Sequence, residues 1–279
     1  MWGGDDNFDL AKTIAEGFGR WDEVLEPLRT LKNYSQRAHL EDKAFLKTEF
    51  WNFKSPVYDL RRPHPLNVYP VMATLPENIT RLTHLKWMNI CCVGLESLPE
   101  NMSALHRLER LLCTNNKLKT LPQSLFQLKN LSSLEAHYNQ IETLPANFWT
   151  GMNDTITYNS IRLSHNRLQA LPEIHTPTAN IYDLDFSFNQ LSTLFQNFKH
   201  LRGVQQLKLS NNQLQTLPES IGDAPFTHVF VSNNQLKTLP ESLFKNPDLK
   251  LVDARKNPIS LREQKKIYQW VSDQVKILL

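Results

Sequence analysis

Apolar positions along this chain recur with a long, fixed period. The dipeptide Leu-Pro marks it at Leu75-Pro76, Leu98-Pro99, Leu121-Pro122, Leu144-Pro145, Leu171-Pro172, Leu217-Pro218 and Leu239-Pro240, and Leu194-Phe195 fills the gap in the series. Successive spacings are 23, 23, 23, 27, 23, 23 and 22 residues. Inside each unit two apolar residues flank one variable residue: Met88/Ile90, Leu111/Cys113, Leu134/Ala136, Ile161/Leu163, Leu184/Phe186, Leu207/Leu209, Val229/Val231 and Val252/Ala254. Period-two alternation predicts a short strand with both flanking residues facing inward. Eight repeats are clear and a degenerate ninth is expected over Leu66–Leu75. Units that each expose one apolar face must stack on their neighbours to bury it, so the period predicts a solenoid.

Asparagine stands three residues after the second core position, at Asn116, Asn139, Asn166, Asn189, Asn212, Asn234 and Asn257. A buried amide carries two donors and an acceptor, so it can satisfy backbone groups where the chain turns out of the strand. Stacked repeats predict a ladder of these side chains. The Leu-Pro pair then begins the return segment, where proline has no N–H to offer a strand ladder.

This pattern resembles the leucine-rich repeat family in its 23-residue Leu-Pro form, over roughly residues 66–260. The resemblance implies an α/β horseshoe with a parallel concave sheet, irregular or short helical turns outside, and recognition of another protein. Bacterial effector domains with a doubled Leu-Pro look related, but their repeat is shorter and this chain lacks the second Leu-Pro.

The ends break the pattern. Residues 1–65 carry helical spacing at Ala11, Ile14, Ala15 and Phe18, again at Trp21, Val24, Leu25, Leu28 and Leu31, and at Leu40, Ala44 and Phe45. A helical N-terminal cap is expected there. Ser260-Leu261-Arg262-Glu263 reads as a capping box, and Ile267, Val271, Gln274 and Leu278 keep helical spacing behind it. A helix over 261–277 that closes the last repeat, the C-terminal cap 261–279, is expected in preference to a basic membrane-binding helix. The 27-residue spacing predicts four extra residues within 148–158, bulging on the convex or edge side.

Composition removes several classes. Lys and Arg total 31 against 28 Asp and Glu, a net charge of +3, which gives no footprint for nucleic acid as the main ligand. Three cysteines make a disulfide scaffold improbable and favour a reducing compartment. The acidic start Met1–Phe8 is not a secretory signal and no apolar run is long enough to span a membrane. A cytoplasmic monomer, or one delivered to a host cytoplasm without a classical signal peptide, is therefore expected. No phosphate-loop, nucleophile-elbow or zincin motif occurs, so no cofactor or metal and no catalytic residue is assigned.

Candidate chemistry lies in the variable positions of the strands. Between the core residues stand Glu135, Arg162, Asp185, Lys208 and Phe230, and the first four alternate in sign. Cross-strand pairing is one reading and a recognition strip is the other. Just before each Asn stand Tyr138, His165 and Phe188, with His137 beside the first; these predict a contiguous aromatic column. Together these nine residues are the expected partner-binding site. Rival readings are a translocated bacterial effector engaging a host protein, and a metal-dependent enzyme using Glu135, His137 and His165.

Overall fold

The computed structural model describes the backbone of residues 50–52 and residues 74–279, apart from 76–78, 81–82, 84, 93, 153–155 and 179. Ten short strands form one sheet in sequence order: β1 (Phe50–Asn52), β2 (Trp87–Asn89), β3 (Arg110–Leu112), β4 (Ser133–Glu135), β5 (Thr157–Arg162), β6 (Asn180–Asp185), β7 (Gln206–Lys208), β8 (His228–Phe230), β9 (Leu251–Asp253) and β10 (Lys276–Leu278). Every pairing is parallel. Equivalent residues of successive repeats face each other, as in Leu111↔Leu134, Leu134↔Ile161 and Ile161↔Leu184. The sheet does not close on itself, so the repeats build the expected horseshoe solenoid with the strands on the concave side.

All eight predicted core pairs are buried, none more than 2% exposed. Between strands the chain returns over the convex side in single 3-10 turns, such as Gln123–Gln127 and Glu219–Asp223, and in the short helix Glu241–Phe244. Pro122, Pro218 and Pro240 sit immediately before these three segments with φ near −70°. Proline holds that φ without a backbone donor, which suits a residue that ends an extended run and starts a turn. A second hydrogen-bond row runs along this side. Ser124, Ser220 and Ser242 each donate to a backbone carbonyl of the preceding repeat, at Glu100, Gln196 and Glu219.

The asparagines form the inner row. Asn139 Nδ2 donates to Cys113 O and Ala136 O, both at 3.0 Å, and its Oδ1 accepts from Leu118 N at 3.0 Å. Asn166, Asn189, Asn212 and Asn234 repeat the arrangement at 2.9–3.0 Å. Asn116 and Asn257, at the two ends of the row, make the same three bonds.

Three expectations can be set against the structure. First, the extra residues before β5 include 153–155, which lie outside the described residues; Phe148 and Trp149 stand four and five residues after Leu144, as Leu125 and Phe126 do after Leu121, and they lie in the core, 0% and 2% exposed. They join Phe126, Phe186 and Phe195 in edge-to-face contacts at 4.5–6.5 Å, and Trp149 Nε1 donates to Pro172 O at 2.8 Å. β5 and β6 extend further toward their N-terminal ends than their neighbours, and there Thr157 and Tyr158 pair with Asn180 and Ile181. Second, the C-terminal helix spans Leu261–Tyr268 and stops. Ser260 Oγ accepts from Glu263 N as the capping box requires, but Lys276–Leu278 returns to the sheet as β10 beside β9. Val275, Ile277 and Leu279 pack on the core with period two, which won over the helical spacing. Third, the sheet begins before residue 66, because Phe50–Asn52 pairs with β2. The expected N-terminal helices and most of the degenerate ninth repeat lie outside the described residues.

Candidate functional site

Strands β4 to β7 carry the candidate residues on the concave face. Residues at the middle strand position point outward from the core, and Glu135, Arg162, Asp185 and Lys208 are opposed in register across the sheet. Charge pairing among them is not the simple alternation expected. Arg162 reaches Glu135 at 3.6 Å, but its stronger partner is Asp183, whose Oδ2 lies 3.2 Å from both Nε and Nη2. Lys208 Nζ donates to Asp183 Oδ1 at 2.7 Å. Asp183 is therefore the hub, only 5% exposed, with one cation on each carboxylate oxygen. Asp185 forms no ion pair among the described residues and its Oδ1 accepts from Ser187 N at 2.9 Å. No pattern along the chain marks Asp183, since the equivalent position holds Arg110, Ser133, Ser160, Gln206 and His228 in other repeats.

Next to this strip lies a row of small residues. Ser164 and Ser187 are buried, and Ser232 Oγ donates to Ser210 Oγ at 2.9 Å. At β4 the row holds His137, whose Nδ1 lies 3.4 Å from Thr114 Oγ1. Beyond the serines stands the aromatic column. Tyr138 and His165 stack at 4.1 Å with an interplanar angle of 13°, and His165 and Phe188 at 4.1 Å and 10°. His137 meets Tyr138 edge-on at 5.7 Å. Tyr138 and Phe188 remain 51% and 47% exposed. The face is thus a shallow trough with serines on its floor, a charged wall and an aromatic wall. Phe230 lies on β8, next to Lys208 in register, and stacks with His228 at 6.3 Å rather than joining the column.

The column residues share an unforeseen backbone state. Tyr138, His165 and Phe188 each have φ of 54°, and Cys92, Asn115, Asn211, Asn233 and Lys256 occupy the same left-handed region. The turn out of each strand requires it while the parallel hydrogen-bond row continues, as in Tyr138 N to Ser164 O. Asparagine tolerates this conformation, whereas a bulky residue costs roughly 1 kcal/mol more. Stacked rings return about that much per pair. Cys92 is half-buried and accepts from Asn115 Nδ2 at 3.4 Å.

Burial holds the His137 imidazole below its usual pKa, with Glu135 partly opposing, and the same effect acts on His165 inside the stack. A histidine kept neutral by folding takes up its proton more readily when unfolded. The stability this contributes is present above about pH 6.5 and is lost as pH falls below it toward the lowered folded values. The full chain should therefore melt at a lower temperature at pH 5.5 than at pH 7.5, and His137→Gln should narrow that gap. An unchanged gap in the variant would remove His137 as a cause.

No three His, Cys, Asp or Glu side chains among the described residues are grouped to hold a metal ion. Glu135 turns to Arg162, His137 to Thr114 and Tyr138, and His165 is enclosed by two rings. Burial pushes the Cys91 and Cys113 thiols up, away from the reactive thiolate. No helix among the described residues is long and apolar enough to cross a membrane.

Comparison with known proteins agrees with this geometry. The leucine-rich repeat family model matches residues 203–224. No curated protein is significantly similar in sequence. Among solved structures, a leucine-rich repeat protein of Leptospira interrogans is 22% identical with a TM-score of 0.50, covering 77% of this chain and 60% of its own. The chain thus spans somewhat over half of that protein's length. The leucine-rich repeat domain of the type III effector XopL is 21% identical with a TM-score of 0.53, over 75% of this chain and 73% of its own. YopM, a leucine-rich effector protein from Yersinia pestis, is 28% identical with a TM-score of 0.49, over 67% of this chain and 47% of its own. With its fixed period, its asparagine row, one repeat matched by the family model and the shared architecture, this chain has the leucine-rich repeat solenoid fold.

Proposed function

We propose that the chain is a non-catalytic protein-binding module that takes its partner in the trough across β4–β7. The observation that carries this reading is the aromatic column. Tyr138 and Phe188 hold left-handed backbone that asparagine fills at lower cost in three other repeats, and they leave half of their surface in water. Backbone strain kept at an exposed aromatic position has no folding benefit beyond the stack itself, and such positions concentrate at binding sites. Asp183 fixes Arg162 and Lys208 from beneath, so these cations are oriented before a partner arrives and lose little freedom on binding.

The test uses Tyr138→Asn/Phe188→Asn in the full chain. Asparagine relieves the backbone while removing the rings, so the melting temperature should stay close to that of the parent. Partner capture from an extract, identified with the parent chain, should be lost, since a central anchor carries about 2 kcal/mol or more of binding. Gln123→Ala and Glu219→Ala, exposed on the convex side, should retain it. Capture that survives the double variant and fails with the convex changes would place the binding surface on the outer side.

A further inference from the structure

We infer that the C-terminal helix Leu261–Tyr268 is a docking surface for an anionic lipid bilayer. This surface is separate from the trough and does not depend on it. The helix is anchored from one side. Ile267 is buried, Glu263 Oε1 accepts from Thr238 Oγ1 at 2.6 Å, and Gln264 Nε2 donates to Ile259 O at 3.0 Å. At 3.6 residues per turn, Leu261, Lys265 and Tyr268 fall within about 60° of one another on the opposite side, with Arg262 adjoining. Leu261 is 77% exposed and Tyr268 54%. A single exposed leucine is ordinary on any protein surface. An outward stripe of Leu, Lys and Tyr, on a helix whose inward side is already satisfied, is not.

Charge decides what fits the stripe. Residues 245–279 hold eight Lys and Arg against four Asp and Glu, a net +4 in a chain whose total is +3. Two of those four acids are engaged locally, Asp253 with Arg255 at 2.7 Å and Glu263 with Lys266 at 3.4 Å. Arg262 and Lys265 form no ion pair with a described residue. Lys266 lies over the half-buried Trp270 ring at 5.1 Å. Apolar and tyrosyl side chains set among basic residues match the boundary between acyl chains and anionic headgroups, where long basic side chains reach upward while their stems stay apolar. A nucleic acid would use the charges and leave Leu261 idle. A second copy of the chain would set like charge against like.

Co-sedimentation of the full chain with vesicles tests this. It should partition at least about tenfold more to vesicles of phosphatidylcholine with phosphatidylserine than to phosphatidylcholine alone, and high salt should abolish the difference. Leu261→Ala/Tyr268→Ala and, separately, Lys265→Glu should each lower partitioning about tenfold without shifting the melting temperature, because these side chains face water. Equal partitioning to both vesicles, no partitioning, or variants that bind like the parent would each overturn the inference. So would a dimer of the parent chain that Leu261→Ala/Tyr268→Ala dissolves. Tyr138→Asn/Phe188→Asn should bind vesicles normally, so a failed trough and a failed lipid surface remain distinguishable.

Discussion

Asn189→Ala should lower stability by about 3 kcal/mol or more in urea unfolding, because one side chain serves three buried backbone groups. Its Nδ2 donates to Leu163 O and Phe186 O, and its Oδ1 accepts from Leu168 N, all at 3.0 Å. Removing the amide leaves two carbonyls and one N–H without partners in a region closed to water, at about 1–3 kcal/mol for each group left bare. The neighbouring Asp185→Ala should change stability by no more than about 0.5 kcal/mol, since that carboxylate makes one short-range bond near the surface. Equal losses in the two variants would mean that the asparagine row does not close the turns.

Trp149→Ala should cost about 3–5 kcal/mol, the usual range for emptying a large aromatic site in a core. The indole touches Phe148 at 4.5 Å and Phe195 at 5.6 Å, measured between ring centres. Strands on one side and single turns on the other leave little that can collapse into the gap. Trp149→Phe keeps most of the apolar volume and loses the bond to Pro172 O, so it should cost clearly less, about 1–2 kcal/mol. Denaturant midpoints of the two variants against the parent check both values. A Trp149→Ala midpoint equal to the parent's would show that this aromatic cluster is not part of the central core.

The repeat was readable from the sequence because one physical demand recurs: each strand buries the residues on either side of a variable one. Leu184 and Phe186, or Leu207 and Leu209, announce it without help from distant residues. Asp183 was not readable, because its role depends on Arg162 from the repeat before and Lys208 from the repeat after. Alternating signs at Glu135, Arg162, Asp185 and Lys208 suggested direct pairs, but the position before the core residue lies deeper and captured both cations. The left-handed turns were hidden for a different reason. Tyr, His and Phe do not advertise positive φ, and only the asparagines at 115, 211 and 233 hinted at it. At the C-terminus two periodicities overlapped. Ile267, Val271, Gln274 and Leu278 suit a helix, while Val275, Ile277 and Leu279 suit a strand, and contact with β9 selected the second.

The asparagine row has a direction. Each Oδ1 receives its N–H from the repeat before it, so Leu118 is completed by Asn139, Leu168 by Asn189 and Leu236 by Asn257. Every unit is finished by its successor. An ancestral gene could therefore lengthen such an array by copying a whole interior unit, because the copy supplies its own amide to the unit behind and finds one waiting ahead. Cutting within a unit breaks that handover at two places at once. The spacing of 23 residues across most of the array, departed from by one longer unit and by one residue in the last interval, is the record such growth would leave.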